Sequence, residues 1–107
     1  MTLKEYLLEC PEGEEITVWD KDYDIEVYFY GQSDDEAMMD LASKLNIVDI
    51  HNDGVTVDFS DLIERNIDNI SGLFYYPDID AIIGDMEAIL AGGVSEDWFK
   101  EFVSCLR

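Results

Sequence analysis

The sequence predicts a single acidic α+β domain over residues 1–107. We expect two hairpins to form a four-stranded antiparallel sheet that is packed by helices, with the elements in the order αββαββααα. Two observations support this prediction. Paired segments alternate apolar and polar residues around turn sequences, as hairpins do. Other segments repeat apolar residues at helical spacing behind capping residues. Helices that are segregated from antiparallel hairpins are typical of the α+β class.

The first helix and the first hairpin occupy the N-terminal part of the chain. Thr2 and Glu5 have the spacing of a capping box, and the apolar residues that follow predict a short helix over 2–10. The segment 16–30 then alternates apolar and polar side chains on either side of an acidic turn at 20–24. We therefore expect a helix followed by a hairpin.

A second helix and a second hairpin follow in the same order. Ser33 and Glu36 again match a capping box, which predicts a helix over 34–45. The segment 47–59 carries two apolar runs that are separated by Asn-Asp-Gly at 52–54. Because Asn-Asp-Gly favours tight turns, we expect these runs to pair as a hairpin.

The last part of the chain predicts three helices. Ser60 can cap a helix that ends near Gly72, and Asp78 can begin another that Gly92 stops. Ser95 then precedes an amphipathic terminal helix, whose apolar stripe consists of Trp98, Phe99, Phe102, Val103 and Leu106.

The charge of the chain limits its possible partners. It has 26 Asp and Glu against 6 Lys and Arg, for a formal net charge of -20, yet 48% of its residues are hydrophobic. That apolar content argues against a disordered acidic tail. The negative charge argues against direct binding to nucleic acids or to anionic membranes, since both carry the same sign. We expect a basic partner protein.

The N-terminal segment and the cysteines indicate the compartment. Residues 1–10 lack a basic region followed by an apolar stretch, so no secretory signal is expected. No uncharged apolar run approaches the ~20 residues that span a bilayer. Cys10 and Cys105 are therefore predicted to be free thiols of a cytoplasmic protein.

The alternation of the strands predicts two contrasting faces of the sheet. One face would collect the apolar residues Ile16, Val18, Ile25, Val27, Phe29, Val48, Ile50, Val55, Val57 and Phe59. The other would collect Thr17, Trp19, Glu26, Tyr28, Tyr30, Asp49, His51, Thr56 and Asp58. Aromatic side chains among carboxylates are typical of protein interfaces. The alternative is that the terminal helix covers these aromatics as a second core layer.

The acidic residues could imitate a nucleic-acid surface only if they cluster. Area scaling predicts roughly 6,000 Å² of surface for this mass, or about one net charge per 300 Å². Duplex DNA carries on the order of one charge per 100 Å², so an even distribution would fall about threefold short. The residues that we predict to contact a partner are Trp19, Asp20, Asp22, Asp24, Glu26, Tyr28, Tyr30, Asp49 and Asp58.

Catalytic and metal-binding patterns are weak in this sequence. His51 adjoins a turn, and neither cysteine belongs to a recognisable Cys-His signature. The acidic segment 20–24 fails as a calcium loop, because Ile25 and Gly31 stand where a glycine and a glutamate are needed. Among so many acids a carboxylate pair at catalytic distance arises by chance. We predict no catalytic residue, no cofactor and no metal site.

Two segments resemble small, acidic, mostly uncharacterised proteins of bacterial plasmids, integrative elements and phages. They are ITVWDKDYDIEVYFY at 16–30 and DAIIGDMEAILAG at 80–92, the latter followed by VSEDW at 94–98. Such elements often encode anti-CRISPR and antirestriction inhibitors that imitate DNA. By analogy, the resemblance implies a non-enzymatic inhibitor that occupies the basic groove of a host defence nuclease.

Two other functions stay open at this point. The chain could be an antitoxin or immunity protein that plugs a basic nuclease toxin. It could also be a small carboxylate-dependent enzyme or a regulator that binds divalent ions. The resemblance names no catalytic motif that would favour the enzyme.

Overall fold

The computed structural model describes residues 1–75 and 78–107 and confirms the α+β class and the order of its elements. The regular elements are α1 (Leu3–Glu9), β1 (Glu15–Asp20), β2 (Glu26–Tyr30), α2 (Glu36–Ser43), β3 (Ile47–Ile50), β4 (Gly54–Val57), α3 (Phe59–Arg65), α4 (Ile67–Ile70), α5 (Ile79–Ala88) and α6 (Glu96–Cys105). A 3-10 turn at Ser71–Leu73 follows α4, and a π-type turn at Ile89–Gly93 follows α5.

The four strands form one mixed sheet in the order β2-β1-β4-β3. Both predicted hairpins are present, since β1 pairs with β2 and β3 with β4 in antiparallel orientation. The central pair, β1 and β4, is parallel, so the expectation of an antiparallel sheet is wrong at this junction. Turn chemistry determines pairing within each hairpin, whereas the connection through α2 decides how the hairpins meet.

A bulge in the second hairpin changes which residues face the core. Ile47 pairs with Val57 and Asp49 with Thr56, which leaves Val48 as the extra residue. Val48 is 52% exposed, and Ile50, on the edge strand, is 55% exposed. The prediction that Val48 belongs to the apolar face is therefore wrong. Ile50 pairs with the buried Val55 and so lies on its predicted face, but its position on the edge strand leaves it exposed.

The core lies between one face of the sheet and the helices. Its strand residues are Ile16, Val18, Val27, Phe29, Val55 and Val57, all buried. The terminal helix contributes its predicted stripe, in which Phe99, Phe102 and Val103 are buried and Trp98 stacks on Phe102 with ring centroids 5.5 Å apart. Helix α6 also packs against α2. The buried residues of α6 therefore belong to the same hydrophobic core as those of the strands.

Three predicted helix starts are confirmed. Thr2 and Glu5 form the capping box of α1, with each side chain accepting a backbone N–H of the other residue. Asp78 caps α5 and Ser95 caps α6 through their side-chain oxygens. These caps depend only on residues three positions apart, which explains why the sequence reveals them.

Two other helix predictions need correction. Helix α2 is capped by Asp35 instead of Ser33, because the Asp35 carboxylate accepts the backbone N–H of the residue three positions on. Ser60 lies inside α3, which begins one residue earlier. The single helix expected after Ser60 is interrupted at Asn66, whose buried side chain binds the backbone of Arg107. This anchoring of the C-terminus is a long-range contact that helical spacing does not reveal.

Both cysteines are free thiols, as predicted. Cys10 is buried, and its burial raises the pKa of the thiol above the ordinary value. In residues 1–75 and 78–107, no helix is long and apolar enough to cross a membrane.

Candidate functional site

The side of the sheet that faces away from the helices carries the candidate site. Across β1 and β2 the register places Glu15 opposite Tyr30, Thr17 opposite Tyr28, and Trp19 opposite Glu26. On the other half of the sheet, Thr56 pairs with Trp19 and Asp49 with Thr56. We call this surface the open face and define it by Glu15, Thr17, Trp19, Glu26, Tyr28, Tyr30, Asp49, His51 and Thr56.

The two tyrosines of β2 are exposed on the open face. Tyr28 is 42% exposed and Tyr30 is 46% exposed, whereas the intervening Phe29 is only 1% exposed. This alternation follows from the pleat, which points successive side chains to opposite faces. Because both rings are exposed, the alternative in which the terminal helix covers these tyrosines as a second core layer is wrong.

Trp19 is half-buried because it packs across the sheet onto β4. A β-carbon added at Gly54 would collide with the carbonyl oxygen of Thr17 and lie 2.8 Å from Cζ3 of Trp19. His51 meets the indole edge-on, with ring centroids 5.6 Å apart, and its Nε2 lies 2.8 Å from Oγ1 of Thr56. The indole is thus held in place and only partly available to a partner.

The carboxylates beside the tyrosines form a hydrogen bond with one phenol and raise the pKa of the other. The hydroxyl of Tyr30 donates a hydrogen bond of 3.5 Å to Oε2 of Glu15. The negative charge of Glu26 is the largest cause that raises the pKa of the Tyr28 phenol above its ordinary value, followed by burial and then by Glu15. The face therefore presents phenol rings that lie beside carboxylates.

Positive charge is excluded from the strands of this face. None of the strands β1 to β4 contains a lysine or an arginine. Lys21 directly follows β1, but its Nζ lies 3.2 Å from carboxylate oxygens of both Asp22 and Asp61. That lysine is therefore neutralised by its own neighbours.

Asp20, predicted to contact a partner, is an internal residue. It is 8% exposed, and its Oδ2 accepts the backbone N–H groups of Asp22 at 2.9 Å and Tyr23 at 2.8 Å. Its Oδ1 accepts the N–H of Ser60 at 2.7 Å. Since both oxygens are occupied, we remove Asp20 from the candidate interface.

Asp58 also lies inside the protein, and its predicted place on the exposed face is wrong. It is 8% exposed, and its carboxylate accepts the backbone N–H of Asn46 at 2.8 Å and the Nδ2 of the same residue at 3.3 Å. The chain leaves β4 before this position, so the alternation of the strand no longer applies to it.

The remaining predicted residues divide between the face and the adjoining loop. The open face brings together Trp19, Glu26, Tyr28, Tyr30 and Asp49. Asp22 and Asp24 lie in the exposed loop between β1 and β2. The pKa of Asp22 is lowered, first by a hydrogen bond from the Ser60 hydroxyl and then by Lys21.

Glu15 is a member of the open face that the sequence analysis missed. Its signal was present, because Glu15 precedes Thr17 and Trp19 at the same alternation. Glu15 therefore extends the polar side of β1 by one residue beyond Thr17.

The arrangement is suited to binding another protein. Within the described ranges 1–75 and 78–107, no three or more His, Cys, Asp or Glu side chains are placed to hold a metal ion together. Exposed phenols can insert into pockets of a partner while carboxylates pair with its cations. The chain matches no protein-family model, no curated protein and no solved structure.

Proposed function

We propose that this protein is a non-enzymatic inhibitor of a host defence nuclease, of the anti-CRISPR or antirestriction type. Its open face occupies the basic groove in which the nuclease binds nucleic acid. The carboxylates take the place of phosphates, and the tyrosines anchor the complex. The protein acts in the cytoplasm, where thiols such as Cys10 and Cys105 stay reduced.

The observation that supports this proposal is the pair of exposed tyrosines on a surface without cations. Tyr28 and Tyr30 are flanked by Glu26 and Glu15, and the strands that carry them hold no lysine or arginine. Tyrosine is enriched among residues that dominate binding energy. Carboxylates that no cation on these strands offsets accelerate encounter with a basic groove and repel competing acidic proteins.

The charge density of the whole molecule shows why a concentrated face matters. The accessible surface is 6029 Å² and the net charge is -20, which is about one charge per 300 Å². Duplex DNA has on the order of one per 100 Å². The open face carries Glu15, Glu26 and Asp49 with no lysine or arginine to offset them, and for this reason we assign the contact with the groove to this face.

Capture followed by competition tests the proposal. The immobilised protein is exposed to bacterial lysate at low salt, and retained nucleases are eluted by raising the salt. Each purified nuclease is then titrated with inhibitor while its binding to labelled nucleic acid is followed. We expect displacement that weakens as salt rises, because screening weakens exposed charge pairs. Simultaneous binding of inhibitor and nucleic acid would contradict occupation of the groove.

Two variants separate the charges from the aromatic anchors. Glu26→Gln is expected to slow association, and Tyr28→Ala to speed dissociation with a loss of about 2 kcal/mol in binding. Glu101→Gln is the matched charge control, since Glu101 is an exposed residue of α6 on the helical side. If Glu101→Gln slowed association as much as Glu26→Gln, net charge alone would explain the binding.

A further inference from the structure

A groove of about 1110 Å³ runs beside β2, the strand at one edge of the sheet. The start of α2, the start of α6 and the π-type turn after α5 form its other walls. Apolar side chains such as Met38, Leu90 and Phe99 line part of it. The groove therefore combines a strand edge with an apolar wall.

The backbone of β2 turns hydrogen-bonding groups toward this groove. In an antiparallel pair, alternate residues bond to the neighbouring strand and the others point outward. Glu26 is of the outward kind, because its N–H donates to Oε1 of Glu87 at 3.0 Å. Tyr28 and Tyr30 lie two and four residues after Glu26, so their backbone N–H groups also point away from β1. No other described residue accepts a hydrogen bond from these N–H groups. These groups are available to an added strand.

The opposite edge of the sheet is covered where strand β3 begins, which distinguishes it from the β2 edge. Strand β3 is bulged at Val48. The N–H of Ile47 donates to the carbonyl oxygen of Met1 at 2.9 Å, and Thr2 forms a bridge with Asn46. Natural proteins protect their edge strands in such ways against unwanted pairing. On β2, among the residues that the structure describes, the side chain of Glu87 occupies the N–H of Glu26, whereas the N–H groups of Tyr28 and Tyr30 have no such acceptor.

The charge of the groove identifies the kind of segment that fits. Among the described residues that line it, Lys100 is the single lysine or arginine, and its Nζ lies 3.0 Å from Oε1 of Glu96. The acidic lining residues are Glu26, Asp34, Asp35, Glu36, Glu87 and Glu96. Such a lining attracts lysine and arginine and repels a second copy of this acidic chain.

We propose that the β2 edge and its groove bind an extended segment of a partner protein in which basic and apolar residues alternate. The segment adds to the sheet as a fifth strand beside β2. Its backbone bonds to Tyr28 and Tyr30, and its side chains alternate between the groove and the open face. This inference goes beyond the proposed function, because it depends on backbone pairing at an edge and not on replacement of phosphates.

A synthetic peptide that alternates lysine and valine tests the proposal. A second peptide has the same sequence but carries methyl groups on the backbone nitrogens of those alternate residues whose N–H groups would point toward β2. It keeps the charge of the first peptide but cannot donate hydrogen bonds to β2. We expect the first peptide to bind about tenfold more tightly, and the amides of Tyr28 and Tyr30 to exchange on the order of tenfold more slowly when it is bound. Equal affinity of both peptides, or unchanged exchange at these amides, would overturn strand addition.

Two charge reversals locate the bound peptide. Asp34→Lys changes the groove, and Asp53→Lys makes the same change of charge at the exposed β3–β4 turn. We expect Asp34→Lys to weaken peptide binding by about tenfold more than Asp53→Lys. If both substitutions weakened peptide binding equally, the affinity would depend only on the net charge of the protein, and this would overturn the groove site. These measurements use no nuclease. Strand addition can therefore be disproved while nuclease inhibition is confirmed, and nuclease inhibition can be disproved while strand addition is confirmed.

Discussion

The carboxylate of Asp20 accepts the backbone N–H of Ser60 at 2.7 Å, which joins the end of β1 to the start of α3. The same carboxylate accepts the N–H groups of Asp22 and Tyr23 and thereby shapes the turn of the first hairpin. One acidic side chain thus connects two segments that lie far apart in the sequence. Part of the unusual negative charge of this chain is therefore structural.

Removing that carboxylate tests its structural role. Asp20→Ala leaves three backbone donors without their charged acceptor, so we expect a loss of about 3 kcal/mol in the free energy of unfolding, measured with urea. Asp24→Ala removes an exposed acid from the same loop and should change stability by less than about 0.5 kcal/mol. Equal losses would show that Asp20 stabilises only through its charge.

Adjacent residues of β2 should differ sharply in their effect on stability. Phe29→Ala removes a core ring that is 1% exposed and should cost about 3–5 kcal/mol. Tyr28→Ala trims a ring that is 42% exposed and should cost less than about 1 kcal/mol. Thermal and urea denaturation of both variants measure the difference. A large loss in Tyr28→Ala would place this ring in the core and remove it from the interface.

Two glycines should respond to alanine in opposite directions. Gly54→Ala forces a β-carbon against Thr17 and Trp19, so we expect a loss of about 2 kcal/mol and a change in tryptophan fluorescence. Gly84 lies in α5 with open space around it. Gly84→Ala should stabilise the protein by about 0.5–1 kcal/mol, since alanine favours the helix. A neutral Gly54→Ala would contradict the packing of Trp19 on β4.

The ionisation of Tyr28 reports on the field of the open face. Glu26→Gln removes the main cause of its raised pKa, so the pKa should fall toward the ordinary value, as NMR of the ring carbons would show. Tyr23 is the control, because the hydrogen bond between its hydroxyl and Asp80 is the main cause of its own raised pKa. A fall at Tyr23 as large as that at Tyr28 would indicate a global change.

The raised pKa of Tyr28 also predicts how stability depends on pH. The folded state holds the phenolic proton more tightly than the unfolded chain, so this contribution is complete below the ordinary tyrosine value of about 10. It is lost as the pH rises above that value, because the unfolded state releases its proton first. Urea denaturation across this alkaline range should show a shallower decline for Glu26→Gln than for the original protein.

Local patterns in the sequence determined the elements of this fold. The capping box of Thr2 and Glu5, the caps at Asp78 and Ser95, and both hairpins depend on residues within a few positions of each other. Alternation in β2 likewise predicted that Tyr28 and Tyr30 share a face. Such interactions depend on the types of neighbouring residues, which is why the sequence alone reveals them.

The tertiary structure decided how those elements meet and which acids remain at the surface. The parallel pairing of β1 with β4 is not specified by either hairpin turn, and the bulge at Val48 exposes a residue that alternation assigns to the apolar face. Asp20 and Asp58 became internal acceptors because Ser60 and Asn46, distant in sequence, brought backbone N–H groups to them. These outcomes depend on contacts between distant segments, whose geometry exists only after the sheet and the helices have packed together.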